Sequence, residues 1–114
     1  MDDLAPYDPE QYQFVAISSE TDLPDGERLY FDLEGKPVVL FRLGERYYAI
    51  GDVCTHDNGP LGDGDVEGHE VICPRHGGRF DIRTGKATRL PAFKPTSYFP
   101  VRVVDGQIEV GIPK

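Results

Sequence analysis

The chain reads as a small all-β domain, a sandwich or barrel of short strands, and three observations predict it. Thirteen glycines and ten prolines punctuate the 114 residues at short intervals. No window sustains a 3.6-residue apolar period, so long helices are not expected. Between the punctuation lie short runs rich in Val, Ile, Tyr and Phe, the composition of strands packed against one another.

Taken in order, residues 1 to 11, with two prolines and four acids, read as a loose tail or an edge-covering strap. Strands are expected over Tyr12 to Ile17, Glu27 to Leu33, Pro37 to Leu43, Arg46 to Ile50, Glu70 to Cys73, Gly78 to Ile82, Lys86 to Thr88, Ser97 to Val104 and Gln107 to Ile112. The turns between them are marked by Glu34-Gly35, Gly44-Glu45, Thr84-Gly85 and Asp105-Gly106. Asp105-Gly106, flanked by Val103-Val104 and Ile108, is the clearest two-residue hairpin. A chain of this length forms one domain, residues 1–114, and buries roughly two-thirds of its unfolded surface.

Charge and hydropathy narrow the function classes. A net charge of -8 and the lack of a basic stripe interleaved with aromatics argue against nucleic acid as a partner. The first ten residues carry neither a basic n-region nor an apolar h-region, and no apolar run approaches the roughly 20 residues of a membrane helix. A cytoplasmic location follows as the expectation. The charge is unevenly spread. Residues 51 to 70 hold Asp52, Asp57, Asp63, Asp65, Glu67 and Glu70 without a Lys or Arg, whereas residues 75 to 94 hold Arg75, Arg79, Arg83, Lys86, Arg89 and Lys94 against Asp81 alone. The plain reading of most of this charge is solubility; the other is a dipolar rim that would orient an approaching partner.

The chemistry is concentrated between Cys54 and His76. Both cysteines and all three histidines of the chain fall there, as Cys54-Thr55-His56 and, after sixteen residues, Cys73-Pro74-Arg75-His76. Each arm offers one thiolate and one imidazole. Tetrahedral zinc accepts two Cys and two His, but its common spacings pair like with like. A 2Fe-2S centre in which one iron keeps two thiolates and the other takes two imidazoles suits mixed arms. A disulfide is the bland reading of two cysteines, and the mixed arms and missing export signal weigh against it. His69, in a Gly-His-Glu turn, reads as a solvated loop histidine, and Asp57 as a loop acid beside His56. The aromatic set of Tyr30, Phe31, Phe41, Tyr47, Tyr48, Phe80, Phe93, Tyr98 and Phe99 reads mostly as core and cross-strand packing.

Cys-Thr-His followed by Cys-Pro-Arg-His-Gly-Gly-Arg-Phe-Asp closely resembles the two cluster-binding loops of Rieske proteins, in particular the soluble Rieske-type 2Fe-2S ferredoxins of bacterial oxygenase systems. The resemblance is strongest over residues 54 to 91. It implies a Rieske-like antiparallel β sandwich or barrel with a small cluster-binding subdomain at about residues 52–92. One 2Fe-2S cluster per chain would be held by Cys54, His56, Cys73 and His76, the cysteines on the inner iron and the histidines on the outer. Gly59, Pro60, Gly62, Gly64, Gly77 and Gly78 would let the loops turn, Gly77 facing an inorganic sulfide. Pro91-Ala92-Phe93-Lys94-Pro95 resembles the proline-bearing third loop that shields the cluster. High-potential members carry an extra disulfide-forming cysteine in each loop and a Ser and a Tyr whose hydroxyls donate to cluster sulfurs. Here Pro60 or a neighbour and Arg75 replace the cysteines, Gly78 the Ser and Phe80 the Tyr, so the potential is expected near the low end of the range, about -150 mV.

The resemblance also implies a role. Larger Rieske oxygenases need a second, mononuclear iron site of the two-His, one-carboxylate type. With His56 and His76 used, only His69 remains, so the chain carries no catalytic site of its own. It is expected to pass single electrons from a flavin-dependent reductase to a terminal, aromatic-ring oxygenase, acting as a monomer with no nucleic-acid or membrane partner. The rival readings are the small subunit of an assimilatory nitrite reductase, which shares this fold but often lacks the four ligands, and a zinc-stabilised interaction module.

Overall fold

The computed structural model describes residues 8–114. Eleven strands are described: β1 (Tyr12–Ser19), β2 (Arg28–Leu33), β3 (Lys36–Leu43), β4 (Arg46–Gly51), β5 (Val66–Glu67), β6 (Glu70–Ile72), β7 (Arg79–Asp81), β8 (Ala87–Arg89), β9 (Tyr98–Phe99), β10 (Val101–Val104) and β11 (Gln107–Pro113). The helical content among these residues is two single 3-10 turns, Pro9–Gln11 and Glu20–Asp22. Each is opened by a side-chain cap, Asp8 and Ser19 respectively. Of the expected N-terminal tail, residues 1–7 lie outside the described residues, and residues 9–11 form the first of these turns rather than loose chain. No helix among the described residues is long and apolar enough to cross a membrane.

The strands form three antiparallel sheets, ordered β1-β11-β10, β2-β3-β4-β9 and β5-β6-β7-β8. The middle sheet is covered on both faces, and its sequence shows why. Successive strand residues point to opposite faces, yet Val38, Val39, Leu40 and Phe41 are all buried, as are Tyr47, Tyr48, Ala49 and Ile50. Val38, Leu40, Tyr47 and Ala49 pack with Leu23, Phe99, Ile108 and Val110 against the first sheet. Val39, Phe41, Tyr48 and Ile50 pack on the other side with Val71, Phe80, Ile82 and both cysteines. An unbroken apolar run in an antiparallel sheet thus marks the one sheet buried on both faces.

Two hairpins share one geometry. Asp105 and Gly106 have φ of 51° and 77°, and Glu34 and Gly35 have 51° and 82°, both pairs closing two-residue loops between Val104 and Gln107 and between Leu33 and Lys36. Positive φ at both central residues is the twist-matched hairpin turn, ordinary for Asp-Gly and less common for Glu. The expected strand Ser97 to Val104 is two strands. Pro100 interrupts it, lacking the N–H a ladder needs, and the chain leaves β9 in the middle sheet to enter β10 in the first. β1 runs two residues further than expected, through a bulge between Ala16 and Ser18, and β5 was not foreseen.

Candidate metal centre

The third sheet and three loops build the site. The first loop, residues 52–65, leaves β4 and returns to β5; the second, 73–78, joins β6 to β7; the third, 90–97, joins β8 to β9. Each cysteine opens a self-closed turn. Cys54 N donates to Gly59 O at 2.8 Å, and Asn58 N donates back to Cys54 O at 2.7 Å. Cys73 N donates to Gly78 O at 2.7 Å, and Gly77 N to Cys73 O at 3.1 Å. Gly77 takes a φ of 76°, the left-handed conformation this turn requires. Its N–H serves the turn.

The far limb of the first loop is fastened to the loop's own first residue and to β2. The Asp52 carboxylate accepts from Leu61 N at 2.9 Å and Gly62 N at 2.6 Å. Arg28, lying over the Phe41 ring at 5.1 Å, donates to Gly62 O and, at 2.8 Å, to Gly64 O. Tyr30 donates to Asp63 at 2.6 Å; burial, then this bond, push its phenol up to about 12. The third loop is held against both others. Thr55 Oγ1 donates to Lys94 O at 2.6 Å, and a Cβ at Gly78 would fall 2.9 Å from Ala92 Cβ.

These loops bring the four sequence-predicted residues together in two layers. Cys54 and Cys73 are free thiols at 0% and 2% exposure, on the same apolar core as Phe41, Leu61 and Phe80. Burial, foremost, raises the Cys54 thiol, and the N–H groups of His56 and Asp57 oppose that rise. His56 and His76 are exposed, their ring centroids 5.0 Å apart and their planes at 88°. Donor atoms within 4.8 Å of one another form two groups, the thiols with Asp57 and the imidazoles with Asp57. One tetrahedral ion would draw all four donors to within about 4 Å of each other. Donors segregated into an inner sulfur pair and an outer nitrogen pair fit two bridged irons with different ligands. His69 stays apart, exposed in the β5–β6 turn, its ring edge-on to Tyr48 at 6.5 Å.

Sequence reasoning missed what Asp57 does. Arg75 Nε lies 2.5 Å from Asp57 Oδ2, and Arg75 Nη2 lies 3.0 Å from Oδ1, a two-pronged ion pair joining the first loop to the second. Arg75 Nη2 is also 3.5 Å from Cys73 Sγ. The hydrogen bond from Arg75 holds the Asp57 carboxyl far below the usual carboxylate range. The signal available was the opposite charge of the two loops. Part of that asymmetry is consumed within the molecule, because Arg79 similarly meets Glu67 at 2.9 Å and Glu70 at 3.2 Å. The aromatic set divides too: Phe41, Tyr48, Phe80 and Phe99 are core, while Tyr30 and Phe93, at 44% and 69% exposure, are not.

Comparison with known proteins agrees with this geometry. Residues 13–103 match the Rieske [2Fe-2S] domain. The anthranilate 1,2-dioxygenase ferredoxin subunit of Burkholderia cepacia is 43% identical over 77 residues, 68% of this chain and 71% of that protein. The ferredoxin of carbazole 1,9a-dioxygenase from Nocardioides aromaticivorans IC177 superimposes with a TM-score of 0.81 at 36% identity, covering 89% of this chain and 98% of that one. A chain from a complex of reduced oxygenase and oxidized ferredoxin in carbazole 1,9a-dioxygenase matches with the same TM-score at 30% identity, covering 89% and 94%. With most of its length matched and all four candidate ligands gathered at one tip, the chain belongs to the Rieske [2Fe-2S] domain family.

Proposed function

We propose that this chain is a one-electron carrier, a Rieske-type ferredoxin that takes electrons from a flavin-dependent reductase and delivers them to a terminal, aromatic-ring oxygenase. Cys54 and Cys73 would hold the inner iron and His56 and His76 the outer iron of one 2Fe-2S cluster, within a single domain spanning residues 1–114 whose cluster-binding part is about 52–92. When bound, the cluster supplies a one-electron couple.

The observation that carries the reading is the layering of the donors. The thiols are sealed in the core, whereas the His76 side chain is 54% exposed. The thiol side is insulated from solvent by Leu61, Phe80 and Ala92. The imidazole side meets solvent, so an electron's short path to a partner leads through His56 and His76. Among the described residues no further group of His, Cys, Asp and Glu gathers that could hold a second metal, and His69 belongs to neither donor group. Ferredoxin relatives of dioxygenases, and one found in complex with its oxygenase, support this assignment over a nitrite reductase subunit. A cytoplasmic monomer is the form that suits such a shuttle.

The test is direct. The purified protein should be red-brown with about two irons per chain, and once reduced should give a rhombic EPR signal averaging below the free-electron value. Mixed with a flavin-dependent reductase, NADH and an aromatic-ring oxygenase, it should support product formation that neither enzyme gives without it. A colourless protein with one zinc would overturn the reading.

A further inference from the structure

We propose that Asp57 and Arg75 form a clasp across the two loops, a positioning pair that keeps the cluster in place and, through the cation at Cys73, sets its affinity for an electron. The inference rests on the ligand assignment above and goes beyond it.

Each ligand turn is closed on itself, by Cys54 N to Gly59 O and by Cys73 N to Gly78 O. The backbone link between the two loops, Ile72 N to Asp65 O at 2.9 Å, lies at their base, not at the tip. The tip is bridged by side chains, with Asp57 Oδ2 on Arg75 Nε and Oδ1 on Arg75 Nη2. The carboxylate is fixed from its own side as well, because Oδ1 accepts from Gly59 N at 3.0 Å. The guanidinium rests on the bare face of Gly59, where a Cβ would fall 2.7 Å from Arg75 Cζ. Gly59 and Arg75 are therefore the facing positions of the two loops, and an ion pair spans the gap beside them. Its members reach both donor layers: Arg75 Nη2 is 3.5 Å from Cys73 Sγ, and Asp57 Oδ2 is 3.8 Å from His76 Nδ1.

Two consequences differ in kind. As a link, the pair acts as a unit, so removing either partner opens the tip and removing both does no further harm. As charges, the partners act oppositely. Reduction adds one negative charge to the centre, which the guanidinium favours and the carboxylate opposes.

The experiment uses the iron-loaded protein with four variants, Asp57→Asn, Arg75→Gln, the double variant and Arg75→Lys. Iron transfer to a chromogenic chelator and the midpoint potential by protein-film voltammetry are measured, with far-UV circular dichroism confirming the fold of each. Asp57→Asn and Arg75→Gln should each release iron on the order of 10-fold faster than the parent, the usual consequence of losing a residue that supports a ligand. The double variant should release it no faster than the worse single. Arg75→Lys, which keeps the charge but not the fork, should release iron faster while holding the parent's potential. The potential should fall in Arg75→Gln and rise in Asp57→Asn. Release rates equal to the parent's in both single variants, or a double variant whose loss is the product of the singles, would refute the link; shifts of the same sign would refute the charge effect. A parent that binds no iron would instead overturn the ligand assignment itself.

Discussion

Gly64 is the position where one methyl group should dismantle the site without touching a ligand. A Cβ built there falls 1.8 Å from Ile72 O and 2.8 Å from Ile72 C, both backbone atoms of β6, so no side-chain rotation relieves the clash. The loop must lift off the strand. Lifting breaks the Ile72 N to Asp65 O bond, worth about 1 kcal/mol, and the Arg28 bond to Gly64 O, which as a charged donor is worth about 1.5–3 kcal/mol. Together these make Gly64→Ala cost about 3 kcal/mol, which for a domain of this size lowers Tm by about 10 °C. The control is Gly68→Ala. Gly68 has φ of 61° but nothing within 4 Å of an added Cβ, so only conformational strain of about 1 kcal/mol applies. Differential scanning calorimetry and iron analysis of both variants read the difference. Gly64→Ala should lose both stability and iron, and Gly68→Ala should keep its iron. A Tm for Gly64→Ala equal to that of Gly68→Ala would show that the first loop does not depend on its seat against β6.

Three further outcomes are expected. Phe80 is fully buried in the core that holds both cysteines, so Phe80→Tyr would set a phenol donor there; one added hydrogen bond of about 1 kcal/mol in favour of the reduced state raises a one-electron midpoint by about 40 mV, readable by voltammetry. His76→Cys should shift the visible spectrum toward that of a four-thiolate cluster or lose iron, since an anionic ligand replaces a neutral one, and an unchanged spectrum would show His76 is not a ligand. Tyr30 keeps its proton in the folded state up to about 12, while the unfolded chain gives it up near its ordinary value of about 10, so the native state binds more protons in that window and stability must fall as pH rises through it. Urea unfolding at pH 9 and pH 11 should show a smaller decline for Tyr30→Phe than for the parent; equal declines would sink the assignment.

How much was legible in the sequence depended on whether the cause was local. Asp105-Gly106 and Glu34-Gly35 announced hairpins because the turn itself demands positive φ at adjacent residues. Cys54, His56, Cys73 and His76 stood out because a short motif concentrates nearly every soft donor of the chain, and the structure gathers them at one tip. Val66–Glu67 went unseen because two residues show no alternation, and their pairing with Val71 and Glu70 is fixed by the Gly68 turn. Pro100 was visible, yet its effect, transferring the chain from one sheet to another, is a matter of topology that a missing N–H does not by itself specify. Asp57 and Arg75 are 18 residues apart in sequence, and only the seating of both loops on one core brings them into contact.

The same core explains why a carrier of this kind needs a sheet covered on both faces. Val38, Leu40 and Ala49 join the middle sheet to the first, while Val39, Phe41 and Ile50 on its opposite side form the floor beneath Cys54 and Cys73. A floor made of strands already held by a second core resists shifting when charge is added above it, because close-packed interiors have low compressibility. Electron exchange is fast when little has to rearrange, so the rigidity of the thiol side complements the exposure of the imidazole side. That division assigns distinct consequences to damage. A cavity such as Val39→Ala, about 1–3 kcal/mol in this fully buried position, should slow electron delivery and loosen iron while leaving the docking face unchanged. An exposed change near His56 or His76 that spares the Asp57–Arg75 pair should weaken partner binding while leaving stability and iron unchanged. Stopped-flow reduction at increasing partner concentration separates the two, the first appearing in the limiting rate and the second in the concentration needed to reach it.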